Sequence, residues 1–130
     1  MKNKYILLVD DNRICRKVLE SLLVAMDCEV VAVGSGEEAL AAVAHRRYSL
    51  VILDIEMPGR NGFEVLRDLR ACDNGGDRLA VVATSGSIIP GDEERYLAAG
   101  FDDCLAKPVS FHALRKVLSR FTAASGIDER

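Results

Sequence analysis

Residues 49–62 read S-L-V-I-L-D-I-E-M-P-G-R-N-G, an apolar run closed by Asp54 and followed by a loop marked with Pro58, Gly59 and Gly62. The run from Leu50 to Leu53 is too short for a helix and lacks the polar alternation of a half-exposed strand. It reads as a strand buried on both faces, the kind found in a parallel sheet covered by helices on either side. A carboxylate ending such a strand needs a reason. The loop turns the chain away, so Asp54 is expected at the carboxyl end of a central strand, where open α/β sheets place ligands.

The same grammar recurs along the chain. Tyr5 to Val9 is a β-favouring apolar run that stops at Asp10-Asp11. From Asn12 the period becomes helical, with Ile14, Val18, Leu22 and Ala25 expected on the inward stripe. Glu29 to Val33 is a second strand. Ser35 and Glu38 then match a capping box that starts a helix reaching about Arg47. After the Asp54 strand, Phe63, Leu66 and Leu69 or Arg70 continue a third helix until Cys72-Asp73-Asn74-Gly75-Gly76 breaks it. Ala80 to Ala83 is a strand ending in Thr84-Ser85, and 90–99 is a shorter helix closed by Gly100. The last strand, about Asp103 to Ala106, delivers Lys107-Pro108. Ser110 then caps a helix expected to face Phe111, Leu114, Leu118 and Phe121 inward. A domain over 1–122 and a frayed tail over 123–130 complete the chain.

Five strands alternating with five helices through short loops call for a doubly wound parallel α/β sheet with helices on both faces. At 130 residues, 49% hydrophobic, the chain is the size of one domain with a real core. Its net charge of -3 argues against a nucleic-acid surface, which wants a basic patch. No stretch approaches the roughly 18 apolar residues of a membrane span, and a cytoplasmic location is expected. Cys15, Cys28, Cys72 and Cys104 show no C-x-x-C spacing, and His45 and His112 form no ligand cluster. The cysteines are expected to be reduced, partly buried thiols.

The strand ends decide the chemistry. Asp10-Asp11, Asp54, Thr84-Ser85 and Lys107 all fall at carboxyl ends, on one edge of one sheet. Three converging carboxylates repel one another unless a cation joins them. With oxygen ligands and neither histidine nor thiolate at the site, the fitting ion is Mg²⁺ or Mn²⁺. Lys107 offers a point charge, Thr84 a hydroxyl and Ser85 a backbone N–H to anionic oxygens, so the site suits a phosphoryl group.

These residues resemble the receiver domains of bacterial two-component response regulators, including the chemotaxis regulator and the receivers of hybrid kinases. The motifs are the acidic pair in L-V-D-D-N, the L-D-I-E-M-P-G-R-N-G segment, the Thr84 strand end and G-F-D-D-C-L-A-K-P, in family order from about Tyr5 to Thr122. The resemblance implies a flavodoxin-like fold of strand order 2-1-3-4-5. It implies a signalling phosphoacceptor, not a turnover enzyme, with Asp54 as the nucleophile toward phosphohistidine on a sensor kinase or phosphotransfer protein. Asp11, Asp54 and the Glu56 carbonyl would ligate Mg²⁺, with Asp10 acting through water. Lys107 would pair with the phosphoryl group, Thr84 would swing toward it, and the Lys107-Pro108 bond would be cis. Downstream, the resemblance implies a protein target or a second receiver, with a phosphorylation-dependent homodimer as one such arrangement; the charge and hydropathy lead to the expectation of no direct nucleic-acid or membrane contact. The partner face of the fourth helix, fifth strand and fifth helix would include Arg95, Cys104 and Lys116.

The chain departs from the family at Cys104, where the switch position usually holds Tyr or Phe. A thiol cannot replace the ring, so output is expected to rely on the loop after Thr84 or on Phe101. Cys104 itself reads as a small filler before it reads as a redox sensor. Glu56 and Gly86 flank the path of water to the acyl phosphate and are expected to tune its lifetime. Two rivals fit less well. A haloacid-dehalogenase-like phosphohydrolase wants D-x-D-x-[TV], whereas this chain has Asp10-Asp11-Asn12-Arg13. An FMN carrier wants a Gly/Thr-rich phosphate loop after the first strand, which is missing.

Overall fold

The structure, a computed structural model, describes residues 5–72 and 79–123. In chain order the elements are β1 (Tyr5–Val9), α1 (Arg13–Ala25), β2 (Glu29–Val33), α2 (Gly36–His45), β3 (Leu50–Asp54), α3 (Gly62–Ala71), β4 (Val81–Ser85), α4 (Asp92–Ala99), β5 (Asp103–Ala106) and α5 (Phe111–Leu118). A π-helical turn, Ser119–Ala123, follows α5. The strands are all parallel in the order β2-β1-β3-β4-β5. This is the flavodoxin-like topology expected from the sequence. Of the expected tail, Ala123 belongs to the π turn and 124–130 lie outside the described residues, as does the 73–76 part of the turn expected after α3.

Strand periodicity divides the interior in two. Leu7, Val9, Val51, Leu53, Val81 and Ala83 face α2, α3 and α4, where they meet Ala39, Val65, Leu66, Leu69, Tyr96 and Phe101. Their neighbours Ile6, Leu8, Leu50, Ile52 and Val82 face α1 and α5, against Leu19, Leu23, Leu114, Val117 and Leu118. Every residue of β3 is buried, as a central strand covered on both sides requires, and each large apolar side chain so buried contributes roughly 1.5–3 kcal/mol.

The same parity continues past the apolar residues. Asp10 follows Ile6 and Leu8, Asp54 follows Leu50 and Ile52, Thr84 follows Val82, and Lys107 follows Leu105. All four therefore project to the α1/α5 side of the carboxyl edge.

Helix phase is where the structure corrects the expected pattern. On α1 the buried residues are Leu19 and Leu23, while Ile14 is 76% and Val18 54% exposed and Ala25 is exposed as well. On α5 they are Leu114, Val117 and Leu118, with Phe111 exposed. The capping box expected at Ser35 is displaced by one residue. Ser35 Oγ does accept the Glu38 N–H at 3.2 Å, but the Glu38 carboxylate takes the N–H of Gly34, at 2.8 Å, in place of that of Ser35. A complete box instead starts α3, where Asn61 and Glu64 exchange bonds of 3.0 Å. Gly100 closes α4 in the left-handed region, with φ 114°.

At the sheet's amino edge Arg70 joins three elements. It donates to the Leu79 carbonyl, to the Gly100 carbonyl at 2.8 Å and to Asp102 Oδ2 at 3.1 Å. Asp102 Oδ2 also accepts the Val81 N–H at 2.8 Å. Replacing Arg70 with alanine removes donors from partly buried acceptors and is expected to cost about 2 kcal/mol. The midpoint of urea unfolding measures that loss.

Candidate functional site

The carboxyl edge brings together Asp10, Asp11, Asp54, Glu56, Thr84 and Lys107, while Cys104 lies back in the α4-side interior. Asp10 and Asp54 are essentially inaccessible to solvent, at 0% and 1% exposure, whereas Asp11 is exposed. Lys107 Nζ lies between the two buried acids, 3.2 Å from Asp10 Oδ2 and 3.1 Å from Asp54 Oδ2. Thr84 stands opposite Asp54 in the β3/β4 register and is buried. The Lys107-Pro108 peptide is cis.

Backbone geometry fixes the acids. Asp54 Oδ1 accepts the Glu56 N–H at 3.1 Å and Asp10 Oδ1 accepts the Asn12 N–H at 2.9 Å. Two residues overlooked in the sequence reinforce β1. Asn12 caps α1 through the Cys15 N–H, and Arg16 reaches back to the Asp10 carbonyl at 2.8 Å. Asn12 had a legible signal, an Asx residue directly before a helical period; Arg16 had none.

Burial pushes the Asp54 carboxyl up from 3.8 to about 6, against the opposing pull of the Glu56 N–H and of Lys107; the nearby charge of Asp10 adds to the rise. Burial alone would lower the Lys107 ammonium, but Asp54 and Asp10 outweigh it and hold the lysine above its usual value. Asp54 and Lys107 therefore depend on each other, one negative and one positive in a dry cleft.

The acids also fit a metal. Carboxylate oxygens of Asp10, Asp11 and Asp54 lie within 4.8 Å of one another. Asp10 Oδ2 is buried and, apart from its ion pair with Lys107, receives no hydrogen bond. A buried anionic oxygen whose one partner is the Lys107 ammonium, beside two more carboxylates and with neither histidine nor thiolate in the group, suits a hard divalent cation.

Cys104 packs with the α4-side interior, opposite Ala83 in the register. Burial first, then the charges of Asp103, Glu93 and Asp92, push its thiol up, so it stays protonated and unreactive at neutral pH. All four cysteines are free: Cys28 is buried, Cys15 and Cys104 partly so, and Cys72 is exposed, against the expectation of partial burial. His45 and His112 are exposed. Phe101 precedes β5, at the opposite end of that strand from Lys107. There it is 2% exposed, with Phe63 and Tyr96 centroids at 5.7 and 6.0 Å. It is part of the core cluster against which Cys104 packs.

Among the described residues no helix is long and apolar enough to cross a membrane. The family model of the response regulator receiver domain matches residues 6–119. Hybrid signal transduction histidine kinase L of Dictyostelium discoideum is 32% identical over 89% of this chain, which spans 7% of that protein. The chain spans between 7% and 20% of the first curated relatives it matches. The receiver domain of the Pseudomonas aeruginosa sensor histidine kinase PA1611, solved with magnesium coordinated in its active-site cleft, superposes with a TM-score of 0.81. It is 32% identical, with 92% of this chain and 98% of that one covered. The receiver domain of Ssk1 from Saccharomyces cerevisiae, solved with the histidine phosphotransfer protein Ypd1, gives a TM-score of 0.82. It is 25% identical over 95% of this chain and 91% of that one. With the strand order, the paired acids and the lysine already in place, these matches carry one conclusion: the chain belongs to the response regulator receiver domain family of two-component and phosphorelay signalling.

Proposed function

We propose that this chain is a Mg²⁺-dependent phosphoacceptor, taking a phosphoryl group from phosphohistidine onto Asp54. The observation that carries the reading is the buried Asp54 carboxylate at the end of the central strand, sharing the Lys107 ammonium with the buried Asp10 carboxylate. An Asp54 oxygen attacks phosphorus as the P–N bond of phosphohistidine breaks. The bond's electron pair goes to the imidazole nitrogen, which takes up a proton, and an acyl phosphate remains. Lys107 pairs with the incoming phosphoryl oxygens and Thr84 supplies its hydroxyl to them. Asp10, Asp11, Asp54 and the Glu56 carbonyl are the groups that would hold Mg²⁺, which when bound neutralises charge on the phosphoryl oxygens. The chain is then a signalling acceptor that keeps its product, not a turnover enzyme.

The donor partner is a histidine kinase or a histidine phosphotransfer protein. The exposed apolar side chains of Ile14 and Val18 on α1 support this. They lie on the same side of the sheet as Asp10, Asp54 and Lys107, and offer a docking helix a dry contact beside the acceptor. A cytoplasmic location, and a downstream protein or second receiver as reader, belong to the same reading.

Incubation with acetyl phosphate and Mg²⁺, followed by intact mass, tests it. The expected result is one phosphoryl adduct per chain, absent with chelator and located to the peptide holding Asp54 after borohydride reduction. If neither acetyl phosphate nor a phosphohistidine donor yields an adduct, the chain is a contact-only module.

A further inference from the structure

The three acids of the cluster are not held equally. Asp10 Oδ1 accepts the Asn12 N–H and Asp10 Oδ2 pairs with Lys107, while Asp54 Oδ1 accepts the Glu56 N–H and Asp54 Oδ2 pairs with the same lysine. Asp11 is exposed, and among the described residues its carboxylate takes no hydrogen bond or ion pair. Its aim is therefore set by the backbone, through the peptide that joins it to Asp10. That peptide is gripped from outside the cluster. The Asp10 N–H donates to the Val33 carbonyl at 3.1 Å, and the Asp10 carbonyl, which belongs to the 10–11 peptide, accepts Arg16 Nη1 at 2.8 Å. Arg16 also donates its own N–H to the Asn12 carbonyl at 2.9 Å, so one residue holds the turn on both sides of Asp11. The end of β2 leaves room for this reach: a Cβ at Gly34 would stand 3.0 Å from Arg16 Nη1.

We propose that Arg16 is a positioning residue for the metal: by holding the Asp10 carbonyl it fixes the 10–11 peptide, aims the otherwise unrestrained Asp11 carboxylate into the cluster, and so raises the affinity for Mg²⁺. The role rests on Asp10, Asp11 and Asp54 being a Mg²⁺ site. A ligand aimed in advance loses less conformational freedom when the cation binds. Residues that orient metal ligands from outside the coordination shell are typically worth roughly 10–100-fold in affinity. The sign of the effect separates positioning from simple electrostatics. A guanidinium beside Asp10 repels a cation, so on charge alone its removal tightens Mg²⁺ binding. If it positions Asp11, its removal weakens binding.

The test is a Mg²⁺ titration of the ¹⁵N-labelled full chain, followed by amide shifts, with the rate of phosphorylation by acetyl phosphate read by intact mass over the same Mg²⁺ range. Arg16→Met keeps the length of the stem and has no donor; Arg16→Lys keeps a donor and the charge. Arg16→Met is expected to raise the Kd for Mg²⁺ about tenfold. The half-saturating Mg²⁺ for phosphorylation should rise by the same factor, with the rate at saturating Mg²⁺ within about twofold of wild type. Arg16→Lys should recover most of the affinity. An unchanged or lower Kd in Arg16→Met overturns the proposal, as does an Arg16→Lys that binds Mg²⁺ no better than Arg16→Met. A rate in Arg16→Met that stays depressed at saturating Mg²⁺ means general damage to the fold and likewise overturns it. Wild type that binds no Mg²⁺ overturns the metal reading itself, whereas wild type and Arg16→Met that bind it equally well overturn only the role of Arg16.

Discussion

Asp54→Asn will carry no phosphoryl group and will be more stable than the wild type at neutral pH in chelator. The first effect is complete, because an amide offers no anionic oxygen for phosphorus, and intact mass reads it directly. The second follows from burial. The Asp54 carboxyl stands at about 6 in the folded chain against 3.8 for the free group, so the ionised form is penalised on folding. A rise of that size corresponds to a cost on the order of 2–3 kcal/mol once the group is ionised. The sign follows from proton uptake: near pH 4 acceptor and amide behave alike, and between pH 4 and 6 the wild type loses stability as pH rises. Above pH 6 the full difference is present. Urea unfolding of both proteins at pH 4.5 and 7.5 should show a small gap at the first and the larger gap at the second. Millimolar Mg²⁺ should narrow the gap at pH 7.5, because a bound cation restores the wild-type carboxylate and has less to gain from the amide. Equal stability at pH 7.5 in chelator would overturn the view that burial outweighs Lys107 at Asp54.

Gly62→Ala will destabilise the fold by about 3 kcal/mol. A Cβ at this first residue of α3 would lie 2.7 Å from Ile55 Cα, 2.8 Å from the Asp54 carbonyl oxygen and 2.9 Å from Ile55 Cδ1. Two of those three atoms are backbone at the end of β3, and the Gly62 N–H already bonds the Ile55 carbonyl at 3.0 Å. The clash is relieved only by moving the helix or the strand end that aims Asp54. Phosphorylation by acetyl phosphate should therefore slow along with the loss of stability. Gly36→Ala separates stability from aim. Its Cβ would meet Cγ2 of the buried, χ1-stiff Val65 at 2.6 Å, so it too should cost about 2 kcal/mol, but its clash is with a side chain away from the end of β3 and the phosphorylation rate should be unchanged.

The sheet and the position of Asp54 were legible because both depend on a period of two. Once Leu50–Leu53 is a strand buried on both faces, the residue after it must project to one side at the carboxyl edge. Asp10, Thr84 and Lys107 obey the same rule in their own strands. Helix phase was not legible on α1, because Ile14, Val18, Leu19, Leu22, Leu23 and Val24 contain two overlapping helical stripes. Only the sheet beneath selects Leu19 and Leu23. Phe111 misled for a related reason: hydrophobicity nominated it, while its place in the first turn of α5 leaves it at the rim. Asn61 and Glu64 sat in a loop already explained by Pro58 and Gly59, so their capping box was missed. The hydrogen bond from the Ser87 hydroxyl to the Glu56 carboxylate spans separate turns and leaves no local pattern at all.

The two interiors of the sheet have no residue in common. Ile14 and Val18 stand over the one shared by α1 and α5, while Cys104 packs into the other, against α4. If the proposed reading holds, a donor that writes on Asp54 from the α1 side and a reader on the α4 side would meet different façades of one small protein. Substitutions on α1 would then be expected to change which donor is heard while the audience stays the same, and changes around Cys104 to change the audience without deafening the chain to its donor.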